Sequence, residues 1–254
     1  MNINQNESSA SLILLDIEGA TTPIDFVYKT LFPFARARVG DYLARNWDAP
    51  EVQAHLAQLR DEGSADISQG LNPPNPAAPA AIEGESASEQ IERAVAYIHW
   101  LMDRDRKSTP LKAIQGKIWQ EGYQAGELLS EVFDDVPPAF ARWRRRNKLI
   151  CIYSSGSELA QKLLFAHTTA GDLTDYIYRY FDTTIGHKIE EESYRRIAEE
   201  LRLSPTEILF ISDVIAELDA ARAAGMKTIL AIRPGNRPVE DRVNHPAVDS
   251  FASL

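Results

Sequence analysis

The chain has 254 residues, 44% of them hydrophobic and 25% charged, with a formal net charge of -10. That length and balance suit a soluble globular protein built from one α/β domain and a second, smaller unit. The acidity argues against nucleic acid as a partner, and no apolar run approaches the roughly 18 residues that a membrane-spanning helix needs.

Residues 1–11 are polar and lack the apolar segment of a secretory signal, which points to the cytoplasm. The first predicted element follows, a buried strand over Leu12–Leu15 whose four aliphatic residues run into Asp16. In open α/β sheets, ligands bind at the carboxyl ends of the strands. If extended backbone persists past Leu15, Asp16 and Glu18 face the same side, since a strand places residues i and i+2 together. Two carboxylates so placed repel unless a cation or a shared proton intervenes.

Helical spacing then runs through Phe26–Trp47, with Val27, Leu31, Val39 and Leu43 among its apolar positions. A polar helix is predicted over Pro50–Asp61. Residues 63–88 hold Pro73, Pro74, Pro76 and Pro79 among Ala, Gly and Ser, and read as a mobile surface loop dispensable for chemistry. Amphipathic patterns return at Ile91–Met102 and at Leu111–Ser130, and Trp100 and Trp119 on them read as core. Residues 25–135 thus form an all-helical cap inserted directly after Asp16, and residues 1–24 with 136–254 form the core.

The second half alternates. Phe140–Arg146 is helical and ends in three exposed arginines; Leu149–Tyr153 is a strand; Glu158–His167 is a helix that Ser157 can N-cap. A short strand at Tyr180–Asp182 precedes a helix at Glu190–Leu201. Ile208–Ile211 is a strand, Ala216–Ala224 a helix ended by Gly225, and Thr228–Ile232 a last strand. This order predicts a doubly wound parallel sheet. The single cysteine, Cys151, lies inside the second strand and reads as a buried, inert thiol.

Polar residues collect at the predicted strand ends. Ser154-Ser155-Gly156-Ser157 combines hydroxyls with free amides at a strand-to-helix turn, which suits an anion. Lys188 sits just before a helix N-terminus, where the dipole disfavours a cation, so its position suggests another task. Ser212-Asp213 brings a third acid to the same edge, with Glu217 beyond it.

Acid-x-acid, then Ser, then Lys, then Ser-Asp, in that order and on those elements, resembles the haloacid dehalogenase superfamily of aspartyl-phosphate phosphatases. The stretches Asp16-Ile17-Glu18-Gly19, Thr21-Thr22-Pro23-Ile24, Leu31-Phe32-Pro33, Tyr153-Ser154-Ser155-Gly156-Ser157, Gly186-His187-Lys188 and Arg233-Pro234-Gly235-Asn236 look more narrowly like the acireductone synthase family, the enolase-phosphatases of methionine salvage. The resemblance implies a haloacid dehalogenase-like core with a helical cap. It also implies conversion of 2,3-diketo-5-methylthiopentyl-1-phosphate to the acireductone plus phosphate. The runner-up is a generic magnesium-dependent phosphatase of the same superfamily acting on another small phosphate.

By the same resemblance Asp16 is the nucleophile, Glu18 the acid or base, and Lys188 the neutralising cation. Ser154, Ser155 and Lys188 hold the phosphate. Magnesium is held by Asp16, Asp213 and the backbone carbonyl of Glu18, with Glu217 near a metal-bound water. His187 is read as facing away, and His55, His99, His167 and His245 as structural. Ala20 stands where the family has Thr, so a loop hydrogen bond is lost or is supplied by Thr21. A small-molecule phosphate is the expected partner, and a monomer the expected state.

Overall fold

The computed structural model describes residues 3–73, 86–238 and 244–254, with side chains from residue 6 onward. The chain divides into two compact units, Met1–Thr30 with Gly126–Leu254, and Leu31–Ala125.

The first unit is built on a parallel sheet of six strands. They are β1 (Leu12–Leu15), β2 (Leu149–Tyr153), β3 (Arg179–Phe181), β4 (Ile208–Ser212), β5 (Lys227–Ala231) and β6 (Ala247–Val248), in the order β3-β2-β1-β4-β5-β6. β1 is central because it is entirely aliphatic and buried on both faces. Leu12, Leu14, Cys151, Tyr153, Ile208 and Phe210 pack with Tyr194 and Ile197 of the helix Glu191–Leu201 and with Leu218 of the helix Ile215–Ala223. The helix Val136–Arg145 contacts β2, and its Phe140 and Trp143 meet Phe165 and Phe251. The order in which strands are added reverses at β1, with β2 and β3 on one side and β4 to β6 on the other. The switch point is therefore at the carboxyl ends of β1 and β4.

The predicted strands are present, and the sheet adds β6, whose two residues carry no legible pattern. β3 ends at Phe181 because Asp182 turns its carboxylate onto the Thr184 amide and hydroxyl. Burial pushes the Cys151 thiol up to about 12. A thiol reagent at neutral pH should accordingly leave the native protein unmodified and label it only in denaturant. Rapid labelling of the native form would contradict this burial.

Among the described residues the second unit holds four helices, Phe32–Arg45, Pro50–Ser68, Ala87–Met102 and Thr109–Gln124. Its core includes Leu43, Leu56, Leu59, Tyr97, Leu101, Ile114 and Ile118, with Trp100 and Trp119 buried beside them. No strand occurs in it among the described residues. Four boundaries differ from expectation. The segment before Pro33 is a π-turn, Val27–Leu31, as expected where proline removes a donor and crowds the carbonyl four residues earlier. Helix Pro50–Ser68 runs past Asp61 into the stretch read as loop, because buried Asp66 is anchored by the Tyr97 hydroxyl at 2.7 Å and by Arg106 at 2.8 Å. Residues 87 and 88 are likewise helical, started by a capping box between Ser86 and Glu89. Residues 69–73 leave that helix without regular structure, and residues 74–85 of the predicted loop lie outside the described residues. Finally, the helix expected to reach Ser130 stops at Gln124, ahead of Gly126 with its φ of +72°.

Candidate active site

Strand register places the site. Leu15 is level with Ile152 of β2 and with Ile211 of β4, so Asp16, Tyr153 and Ser212 emerge together at the carboxyl edge. Asp16 is 2% exposed. Its Oδ1 accepts the Ile17 amide at 2.8 Å and lies 2.6 Å from Lys188 Nζ. Its Oδ2 faces the Ser212 hydroxyl at 3.0 Å. That hydroxyl also meets Glu217 Oε2 at 3.0 Å, and Glu217 in turn lies 2.7 Å from Lys188 Nζ. One buried ammonium is thus held between two carboxylates that a single serine hydroxyl bridges.

The electrostatics follow from that count. Burial alone would drive the Lys188 ammonium down, but Asp16 and Glu217 outweigh it and hold the proton on more firmly than usual. Glu217 is pushed up by burial and by the Asp16 charge, against the opposing pull of Lys188. Asp213 is pushed up to about 7, first by burial and then by Asp16. One lysine does not balance this group of acids, and the excess is negative. Lys188 is set in place by its own backbone, whose carbonyl accepts the Tyr194 hydroxyl at 2.7 Å, and its ammonium lies 5.8 Å from the Tyr153 ring centre.

Glu18 reaches this edge by a different route from the strand alternation expected. The strand ends at Leu15, and residues 17–22 form a tight turn in which the amides of Ala20, Thr21 and Thr22 all donate to the Ile17 carbonyl. The Gly19 amide donates to the Thr22 carbonyl at 2.8 Å. Gly19 has a φ of +72°, and a Cβ there would lie 2.4 Å from Asp213 Oδ2. Glycine is therefore required twice, by backbone conformation and by the approach of Asp213. The Thr21 hydroxyl reaches the carbonyls of Asp16 and Ile17, both at 3.2 Å, so Thr21 supplies a side-chain hydrogen bond to the loop that carries Ala20.

Ser154 follows Tyr153 and is 1% exposed. Its Oγ accepts the Gly156 amide at 3.1 Å, which leaves the O–H to donate. Gln161 fixes this turn by donating to the carbonyls of Gly156 and Phe181, both at 2.8 Å. Ser155 is half-buried on the same turn, and Ser157 caps the next helix through the Ala160 amide. His187 is exposed, its carbonyl bound by Ser193. His245 is buried between Thr228 and Asp219. Ser212 as the bridge, and Glu217 as a direct partner of Lys188, went unassigned in the sequence; the only signal was their place at the end of β4 and just beyond it.

Among the described residues no three His, Cys, Asp or Glu side chains converge as a metal-holding group. A hard cation nevertheless fits what is present. Asp16 and Asp213 offer the carboxylate oxygens that such a cation takes, and the Asp213 carboxyl is raised first by burial and then by the negative charge of Asp16.

Known proteins resemble this chain along most of its length. A model of haloacid dehalogenase-like hydrolases matches residues 10–225. A protein of Synechococcus elongatus named "Enolase-phosphatase E1" is 50% identical over 232 residues, covering 91% of this chain and 92% of the relative. One of Drosophila grimshawi with the same name is 43% identical over 98% of each chain. Among solved structures, the UTR4 protein of Saccharomyces cerevisiae is 34% identical with a TM-score of 0.75, over 96% of this chain and 100% of that one.

Proposed function

The chain belongs to the haloacid dehalogenase-like hydrolases and, within them, to the enolase-phosphatase E1 family, and from that premise we propose its reaction in residue terms. The substrate is 2,3-diketo-5-methylthiopentyl-1-phosphate, which is enolised and then dephosphorylated to the acireductone 1,2-dihydroxy-3-keto-5-methylthiopentene in methionine salvage. The observation that carries this reading is the buried Asp16–Lys188–Glu217 cluster at the sheet's switch point, in a chain half identical to an enolase-phosphatase.

A carboxylate oxygen of Asp16 attacks phosphorus, the bond from phosphorus to the substrate oxygen breaks, and that oxygen takes its proton from Glu18. Water then attacks the aspartyl phosphate while Glu18 accepts a proton, which releases phosphate and restores Asp16. Lys188 neutralises the phosphoryl oxygens as a buried point charge. The Ser154 hydroxyl, with Ser155 beside it, donates to the same oxygens. Asp16, Asp213 and the Glu18 carbonyl would hold Mg²⁺. When bound, it supplies charge neutralisation to the phosphate and to the enolate oxygen. Enolisation removes a proton beside a carbonyl and leaves Asp16 without a covalent role. The protein acts in the cytoplasm as a monomer.

The test is direct. Phosphate release should depend on Mg²⁺ and be much faster from the diketone phosphate than from sugar phosphates or phosphoglycolate. Equal or better turnover of those simple esters, with no enol formed, favours the generic phosphatase.

The Asp213 carboxyl also sets a pH dependence. With its proton held up to about pH 7, Mg²⁺ must displace that proton at lower pH, so affinity should fall as pH drops below about 7. Calorimetric titration of Mg²⁺ at about pH 6, in two buffers of different ionisation heat, should register proton release. Heats independent of the buffer would take Asp213 out of the ligand set.

A further inference from the structure

The turn that carries Glu18 is tied down from outside itself. Its inward amides are satisfied locally, but three successive carbonyls point away and each is taken by a distant donor. The Gly19 carbonyl accepts Asn236 Nδ2 at 2.9 Å, the Ala20 carbonyl accepts Arg233 Nε at 3.2 Å, and the Thr21 carbonyl accepts the Phe133 amide at 3.0 Å. Two of these donors come from one short turn after β5, Arg233-Pro234-Gly235-Asn236. That turn is itself rigid. Gly235 has a φ of +86°, and the Asn236 amide donates to the Arg233 carbonyl at 3.1 Å.

Arg233 is built for holding rather than for binding a ligand. It is 5% exposed, and its guanidinium lies 4.7 Å from the Phe133 ring centre and 4.3 Å from that of Phe251. Its Nη1 donates to Asp135 Oδ2 at 2.7 Å and to the Asp249 carbonyl at 2.8 Å. Asp135 is fixed in turn by the Ser250 hydroxyl at 2.7 Å and by the Phe251 amide. Burial pushes the Asp135 carboxyl up, yet these hydrogen bonds prevail and keep it ionised to lower pH than usual.

Asn236 reaches further into the site. Its Nδ2 also donates to the Ala231 carbonyl at 3.2 Å; two carbonyl acceptors fix which end of the amide is nitrogen. Oδ1 is then the atom that lies 2.9 Å from the point where a Gly19 Cβ would sit, while Asp213 Oδ2 lies 2.4 Å from the same point. The side chain thus spans from the loop carbonyl to the neighbourhood of Asp213.

We propose that Asn236, with Arg233 behind it, is the positioning residue that holds Glu18 in register with Asp16 and Asp213. The proposal rests on the reading of Glu18 as the acid that protonates the leaving oxygen. A side chain loosened by about 1 Å loses catalysis on the order of 10²-fold. The loss must appear where Glu18 is needed and not elsewhere. An alkyl phosphate leaves as a poor anion and requires the proton, whereas p-nitrophenyl phosphate leaves unaided. The first, single-turnover release of alcohol therefore separates positioning of Glu18 from general damage.

The experiment compares Glu18→Gln, Asn236→Ala and the double variant on these two esters with Mg²⁺, each variant checked by circular dichroism. Asn236→Ala should slow the alkyl ester by about 10- to 100-fold and p-nitrophenyl phosphate by less than about threefold, with KM changed little. Adding it to Glu18→Gln should cause no further loss. Equal slowing of both esters, no slowing, or full additivity overturns the proposal. If Glu18→Gln itself makes no distinction between the esters, the acid reading of Glu18 fails first, and the proposal with it. Should Asn236→Ala not fold, Arg233→Lys is the second variant. It keeps the charge opposite Asp135 but lacks the planar fork, and it must show the same leaving-group pattern or the proposal falls.

Discussion

Asp16→Asn should abolish phosphate release, lowering turnover by on the order of 10³-fold or more. The amide is nearly isosteric, so the contacts to Ile17 and Ser212 can survive in part, and the loss reports chemistry rather than collapse. An amide is a poor nucleophile and a neutral ligand, so Mg²⁺ affinity should weaken as well. Phosphate release with the diketone phosphate is the measurement, made after mass spectrometry excludes deamidation back to Asp. Turnover near that of the parent would remove Asp16 from the covalent role.

The second large effect is expected at Lys188. Its ammonium lies 2.6 Å from Asp16 Oδ1 and 2.7 Å from Glu217 Oε2, with side chains that are 3%, 8% and 11% exposed for Asp16, Lys188 and Glu217. Lys188→Met keeps the length of the side chain and deletes the charge, which leaves two buried carboxylates facing each other across one serine. Breaking a buried pair in this way costs about 3–5 kcal/mol of stability, and the phosphoryl oxygens lose a desolvated cation worth on the order of 10²- to 10³-fold in rate. Thermal melting and phosphate release should therefore both fall. A variant as stable and as active as the parent would show that Lys188 neutralises neither the acids nor the phosphate.

What could be read from the chain depends on how local each determinant is. The strand β1 and its terminal Asp16 were legible because four aliphatic residues in a row suit a strand buried on both faces, and an acid directly after them finds polar partners only at the sheet's edge. The doubly wound parallel sheet followed from alternation of strand and helix in the second half, whereas β6, with only two residues, left no pattern to read. The turn that carries Glu18 was not legible, since nothing local announces that Ile17 will gather three amides onto one carbonyl. The full length of helix Pro50–Ser68 was hidden because Asp66 is anchored by Tyr97 and Arg106, dozens of residues away. The same holds for the Arg233–Asn236 turn. Its hydrogen bonds to Gly19 and Ala20 span more than two hundred residues, and propensity carries no trace of such contacts.

That one site performs two separable reactions is tested most directly by Asp16→Ala. In the proposed mechanism phosphate hydrolysis requires the Asp16 nucleophile, whereas enolisation requires only proton removal and stabilisation of negative charge on oxygen. Asp213 and the Glu18 carbonyl, the other two proposed ligands, remain in this variant and should retain part of the Mg²⁺ affinity. With the diketone phosphate and excess Mg²⁺, ultraviolet absorbance should rise as the enol phosphate accumulates, while inorganic phosphate stays at background. If the variant binds Mg²⁺ and substrate yet forms no enol, Asp16 takes part in proton transfer itself, and the separation of the two reactions is wrong.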